Sequence, residues 1–347
     1  MINRAELLDT PPVRPVVRTP DSAAVRFRKR AGAAIVDGFF RGTSRAASYI
    51  PISHPRLHGV EVLRNIPYQS TNRHEHLLDV WRPRRRTGAL PVVFYVHGGG
   101  FRILSKDSHW IFGLIFARRG YIAVNINYRL SPKHRFPAAL EDTAAAFHWT
   151  LDHIHEYGGD PSRVIVAGES AGANLVTALT VATCTPRPEA WARKLFDRGV
   201  VPSVAMPACG VLQVSDTHRF LRQERPVHPF IADRLAEVTD SYLGVDPASD
   251  AKSRELADPL NIIEGTSEWA RPLPPFFVPV GTADPLIDDT RRLAVALKRL
   301  GVAHEARYYK YGPHAFHAFV PLRIARQCWQ DTFKFLGQHL PATPRPA

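Results

Sequence analysis

From residue 92 onward the chain alternates short, unbroken apolar runs with helical stretches, and this rhythm constrains the fold more than any other feature. Val92–Val96, Ile122–Ile126, Val164–Ala167 and residues 203–207, 276–281 and 304–309 read as strands. Helical patterns fill 107–119, 137–155, 171–184, 287–300 and 321–338. Strands without polar alternation are buried on both faces, so the pattern predicts an α/β fold with a mostly parallel central sheet and helices on both faces. Residues 58–66 and 75–82, with turn-forming residues between them, read as antiparallel strands ahead of the parallel part. The stretch 171–184 is apolar almost all round, which places it between layers.

The ends of the chain differ from this middle. Residues 1–21 are rich in Pro and Arg and read as a flexible tail, as do 341–347. Between Ser22 and Tyr49, Phe27, Ala31, Ile35 and Phe39 recur every four residues, flanked by Arg26, Arg28, Lys29 and Arg30. That is an amphipathic helix whose stripe is expected to pack on its own protein rather than on an anionic membrane surface. The net charge of +13 comes from 45 Lys and Arg against 32 Asp and Glu, and residues 1–60 carry ten bases against four acids. No nucleic-acid-binding motif accompanies the surplus, so it reads as a solvated basic surface with no nucleic-acid partner. Cys184, Cys209 and Cys328 are far apart and odd in number, which supports neither a disulfide framework nor a zinc site. With no apolar leader or membrane-span pattern, the expected location is the cytoplasm.

Four segments carry the chemistry. Gly168-Glu169-Ser170-Ala171-Gly172 follows a strand and opens the buried helix, where a serine on a tight turn is lifted above the sheet. His97-Gly98-Gly99-Gly100-Phe101 ends another strand, and its bare backbone lets N–H groups approach an oxygen closely. It lacks the Lys-Ser/Thr ending of a phosphate cradle, and His97 reads as a brace for the loop. Asp284 lies just past the strand 276–281, where parallel-sheet enzymes place functional groups. Its competitors Asp288 and Asp289 suit the first turn of the following helix. His314 and His317 follow the strand 304–309. The order Ser170, Asp284, His314 is that of one known triad class.

Together these segments resemble the α/β-hydrolase fold, and within it the hormone-sensitive-lipase-like carboxylesterases, over about residues 58–340. Tyr128-Arg129-Leu130-Ser131-Pro132 with Phe136-Pro137-Ala138-Ala139 and Glu141-Asp142 is similar to a scaffold-stabilising segment of that family. Ser131-Pro132-Lys133 stands where relatives have Ala-Pro-Glu, Ala315 where they have Gly, and Arg102 where Gly is common. These departures leave every catalytic group in place and bear on the shape of the acyl pocket.

The resemblance implies a serine esterase or lipase-like hydrolase of short- to medium-chain esters, with Ser170 as nucleophile, His314 as base and Asp284 as its acid. Gly99, Gly100 and Ala171 would supply the oxyanion-binding N–H groups, and no metal or organic cofactor is expected. It also implies a helical cap built from residues 22–57 and an insertion at about 186–245, within a catalytic domain spanning 58–340. An amidase or deacetylase of small amides on the same triad is the alternative. A non-catalytic binding protein of the same fold is a third reading, disfavoured by the presence of His314 with its whole motif.

Overall fold

In the computed structural model, described here over residues 23–222, 228–244 and 252–340, helix α1 (Ala23–Ser48) precedes an eight-stranded mixed sheet. Both terminal tails lie outside the described residues. The strands β1 (Val60–Pro67) and β2 (Leu77–Pro83) form the expected antiparallel pair. They are followed by β3 (Leu90–Val96), α2 (Trp110–Arg118), β4 (Ile122–Ile126), α3 (Ala138–His153), β5 (Gly159–Glu169) and α4 (Ala171–Cys184). Next come α5 (Ala190–Asp197), β6 (Val204–Ala208), α6 (Pro229–Tyr242) and α7 (Pro259–Gly265). The chain closes with β7 (Phe276–Gly281), α8 (Ile287–Arg299), β8 (His304–Tyr309) and α9 (Arg323–His339).

The strand order is β1-β2-β4-β3-β5-β6-β7-β8, with β2 antiparallel to both its neighbours and β3 to β8 parallel. Crossover helices cover both faces. Trp110, Phe112, Phe116, Trp329 and Phe335 of α2 and α9 pack on one, and Phe147, Leu175, Leu179 and Leu293 of α3, α4 and α8 on the other. Every residue of α4 is buried. Its Thr177 and Thr180 hydroxyls stay satisfied by donating back to the carbonyls of Ala173 and Val176, at 2.7 Å each.

Two expectations change. The segment 186–245 is not one insertion, because β6 lies inside it and pairs with β5 and β7; only parts before and after β6 stand outside the sheet. The stripe on α1 does not pack inward either: Phe27 is 74% exposed and Ile35 66%. Instead, α1 meets α6 at Gly32, where an added Cβ would lie 3.0 Å from Phe230 and Arg234. Arg28 Nε and Nη2 donate to Asp233 at 2.6 and 2.9 Å beside it. Gly32 has no side chain, so its packing role carries no hydrophobic signal. The Phe39 side chain lies outside the described atoms. No helix among the described residues is long and apolar enough to cross a membrane.

The loops that follow β7 and β8 touch through bare backbone. A Cβ on Gly281 would sit 1.9 Å from the Gly312 carbonyl oxygen. Gly281→Ala should therefore destabilise the protein by about 1–3 kcal/mol in urea unfolding. Gly337→Ala in α9 has open space around it and should gain up to about 1 kcal/mol.

Candidate active site

The turn from β5 into α4 is forced by contact. A Cβ on Gly172 would lie 2.1 Å from the Val96 carbonyl oxygen, and one on Gly168 would lie 2.7 Å from the backbone of Gly172 and Val96. Only glycines let α4 start this close to β3. Ser170 between them has φ 56° and ψ −116°, a left-handed conformation that costs an L-residue on the order of 1–2 kcal/mol. Its amide donates to the Ala208 carbonyl at 3.0 Å, and its carbonyl accepts from Asn174 at the first turn of α4. The serine is thereby held at the carboxyl end of β5.

The triple-glycine loop runs alongside. A Cβ on Gly98 would approach the Ser170 Cβ to 3.3 Å. Gly99 has φ 108° and would clash with the Ile103 carbonyl at 2.2 Å if it carried a side chain. Its own carbonyl accepts from the Arg102 and Ile103 amides, which closes the loop. Gly100 has φ 59° and lies under Val238 of α6, while Phe101 stacks on Tyr242 with centroids 3.8 Å apart. Gly99 and Gly100 thus follow the end of β3, and Ala171 opens α4 directly after the serine.

His97 is a brace, as its position suggested. Its ring stacks on Tyr128 at 4.3 Å, its Nδ1 meets the Gly98 carbonyl at 2.7 Å, and burial lowers its pKa to about 3. It is neutral at pH 7.

A second brace is Glu169, the acid inside the Gly168–Gly172 motif, whose partners had no sequence signal. Glu169 Oε1 accepts the Gly98 amide at 2.7 Å and pairs with His109 Nε2 at 2.6 Å, while Oε2 accepts the Tyr95 hydroxyl. Burial would push this carboxyl up, but the His109 charge and the hydrogen bonds from His109 and Tyr95 outweigh it and hold the pKa at about 2. The residue next to the serine is therefore a fixed anion that ties the glycine loop to the turn.

Asp284 and His314 meet beyond the ends of β7 and β8. His314 Nδ1 lies 2.9 Å from Asp284 Oδ2, and Asp284 Oδ1 accepts the Leu286 amide at 2.9 Å, which fixes the carboxylate. Asp284 is buried; the His314 side chain keeps 36% exposure. Burial lowers the histidine's pKa, but Asp284 and the Cys209 thiol beside it more than compensate and hold it well above 6.5. Ser170 Oγ makes no hydrogen bond to another described residue.

The competing residues are elsewhere. Asp288 pairs with Arg291 at 2.7 Å on the surface. Asp289 is buried, but it accepts the Leu212 amide at 2.7 Å and pairs with Arg219, so it anchors the loop after β6 rather than its own helix. His317 packs between Phe112 and Trp329, and burial lowers its pKa to about 4. Cys209, which no sequence pattern joins to a histidine, lies with Asp284 and His314 in one cluster. Burial pushes its thiol up.

Comparison with known proteins agrees with this geometry. The family described as alpha/beta hydrolase fold matches residues 93–318. A carboxylesterase of Mycobacterium tuberculosis, NlhH, is 33% identical over 227 residues, which cover 65% of this chain and 66% of that protein, just short of two thirds of its length. The esterase LipI of the same organism is 31% identical over 242 residues, 67% of this chain and 68% of that protein. Among solved structures, an esterase of Pyrobaculum calidifontis superposes with a TM-score of 0.67 at 26% identity, covering 93% of this chain and 100% of that one.

The Glu169 brace has a pH signature. Glu169→Gln disturbs the acceptor shared by the Gly98 amide, His109 and the Tyr95 hydroxyl and should cost about 1–3 kcal/mol at neutral pH. The folded-state pKa is depressed, so this contribution is complete above about 4.5 and shrinks as pH falls toward about 2. Urea unfolding of both proteins between pH 7 and 3 should show their difference narrowing on the acid side.

Proposed function

The chain belongs to the α/β-hydrolase family, in its hormone-sensitive-lipase-like branch, and on that footing we propose that it is a serine carboxylesterase acting on short- to medium-chain carboxylic esters. The observation that carries the reading is the 2.9 Å contact between His314 Nδ1 and Asp284 Oδ2, at the strand ends beside the Ser170 turn. His314 takes the proton from Ser170 Oγ as the serine attacks the ester carbonyl, and later gives it to the departing alcohol. Asp284 holds the ring in the tautomer that leaves Nε2 free to accept, and stabilises the imidazolium. The N–H groups of Gly99, Gly100 and Ala171 receive the developing oxyanion, each worth on the order of 2.7–4 kcal/mol in the transition state. Water then repeats the attack on the acyl-enzyme with His314 as base.

In this reading α1 and α6 form a cap over the acyl chain. Supporting it, Val238 and Tyr242 of α6 lie on Gly100 and Phe101, Glu237 pairs with Arg102, and the Arg28–Asp233 pair ties α1 to α6. The three free, buried cysteines suit a reducing compartment and support a cytoplasmic location.

Ser170→Ala should lower kcat on p-nitrophenyl butyrate by at least about 10⁴ with the circular dichroism spectrum unchanged. His314→Ala should match it, whereas His317→Ala should lose stability more than turnover. Asp284→Asn should lose several orders of magnitude, and Asp288→Asn almost nothing. A tenth of wild-type rate in Ser170→Ala would sink the nucleophile assignment.

Two further measurements bear on the base and the cap. A histidine held above 6.5 is protonated and inactive below its pKa, so kcat/KM should rise with pH along a limb centred above 6.5. Removing residues 1–50 should reduce kcat/KM more for a hexanoyl than for an acetyl ester, since each buried CH₂ contributes about 0.8 kcal/mol. Equal losses, with salt-sensitive liposome binding that disappears on truncation, would make α1 a membrane element instead.

A further inference from the structure

Ester hydrolysis leaves one side chain of the site without a task. Cys209 follows β6 directly, in a left-handed conformation with φ 40°, and its amide donates to the Pro279 carbonyl of β7 at 3.0 Å. This turn directs the thiol toward the loops after β7 and β8. Its Sγ, a carboxylate oxygen of Asp284 and an imidazole nitrogen of His314 all lie within 4.8 Å of one another. Among the described residues no other group of three such ligands converges in this way. Cys184 sits against Thr183 and the Pro272 carbonyl, with no histidine.

The geometry points to an inhibitory metal site: a borderline-soft divalent cation such as Zn²⁺, held by Cys209 Sγ, the His314 imidazole and the Asp284 carboxylate, that stops turnover by occupying the base. Thiolate with imidazole selects Zn²⁺ over Mg²⁺ or Ca²⁺, which require oxygen ligands. Ligands around one zinc at 2.0–2.3 Å stand about 3.5 Å apart, so these side chains reach the ion by small rotations. The thiolate and the carboxylate together match its double charge. On binding, the sulfur–hydrogen bond breaks, a sulfur–zinc bond forms and its proton leaves to solvent, as does the additional ring proton of a charged His314; no electrons are transferred. The ion reaches the cluster past His314, which is the exposed member.

Either ring nitrogen gives the same outcome. Metal on Nδ1 replaces the hydrogen bond between that nitrogen and Asp284 and leaves the ring proton on Nε2, which then accepts nothing from Ser170. Metal on Nε2 takes the accepting lone pair itself. The inhibition rests on the esterase reading, whereas the coordination does not, and the test separates them.

In a p-nitrophenyl butyrate assay, ZnCl₂ should lower the wild-type rate at least about tenfold, EDTA should restore it and MgCl₂ should leave it unchanged. Cys209→Ala and Cys209→Ser, each referred to its own metal-free rate, should need at least about tenfold more zinc for the same loss. Coordination is read without turnover in Ser170→Ala titrated with CoCl₂, where a thiolate-to-cobalt charge-transfer absorption should appear in the near ultraviolet. Equal zinc sensitivity in wild type and the Cys209 variants, or no such absorption in Ser170→Ala, overturns the site. An absorption in a protein that hydrolyses no ester would overturn the function and keep the site; an active esterase without it does the reverse.

Discussion

Between the end of β3 and the start of α4 there is no room for a side chain. Gly168 and Gly172 bring the helix onto the Val96 and His97 carbonyls, and everything at the carboxyl edge of the sheet is arranged around that contact. It forces the left-handed turn at Ser170 and sets the serine beside the triple-glycine loop, and it aims the amino end of a wholly buried helix at the site. Local strain at the serine is tolerable because the surrounding packing over-determines it. The fourteen residues of α4 are buried among both neighbouring helices and the sheet.

A second layer of control is electrostatic. Glu169 is an anion inside the protein, and burying it is worthwhile only because His109, Tyr95 and the Gly98 amide converge on its two oxygens. The glycine loop is flexible by composition, so its shape depends on such external ties: Glu169 from below, Tyr128 beneath His97, and α6 from above. The glycine loop is thus held in shape by residues outside it.

What the sequence made legible follows from where each constraint is local. Gly168, Gly172 and the three glycines of the loop stand in two short runs that admit no side chain, so the composition itself reports them even where the backbone they meet, as Val96 for Gly172, is distant in sequence. The strands and the long helices kept their apolar periods, and their ends agree with the structure to within a few residues. Glu169, His109 and Tyr95 converge from positions 60 to 74 residues apart, and Cys209 reaches His314 across 105; no local pattern records such meetings. The short helices α5 and α7 were lost among prolines and charges. On α1 the hydrophobic stripe pointed to the wrong face, because the position that packs is a glycine.

The close approach of Gly281 to Gly312 has a mechanical side. Asp284 and His314 hang from two loops that share one backbone contact, so a displacement of either strand end carries both groups together. Asp284 and His314 are in this way coupled to each other first of all. Ser170 and the glycine loop are coupled likewise through Glu169, and the two pairs join where the Ser170 amide meets the Ala208 carbonyl and the Cys209 amide meets the Pro279 carbonyl. A change in how the pairs face each other would therefore be transmitted across the end of β6.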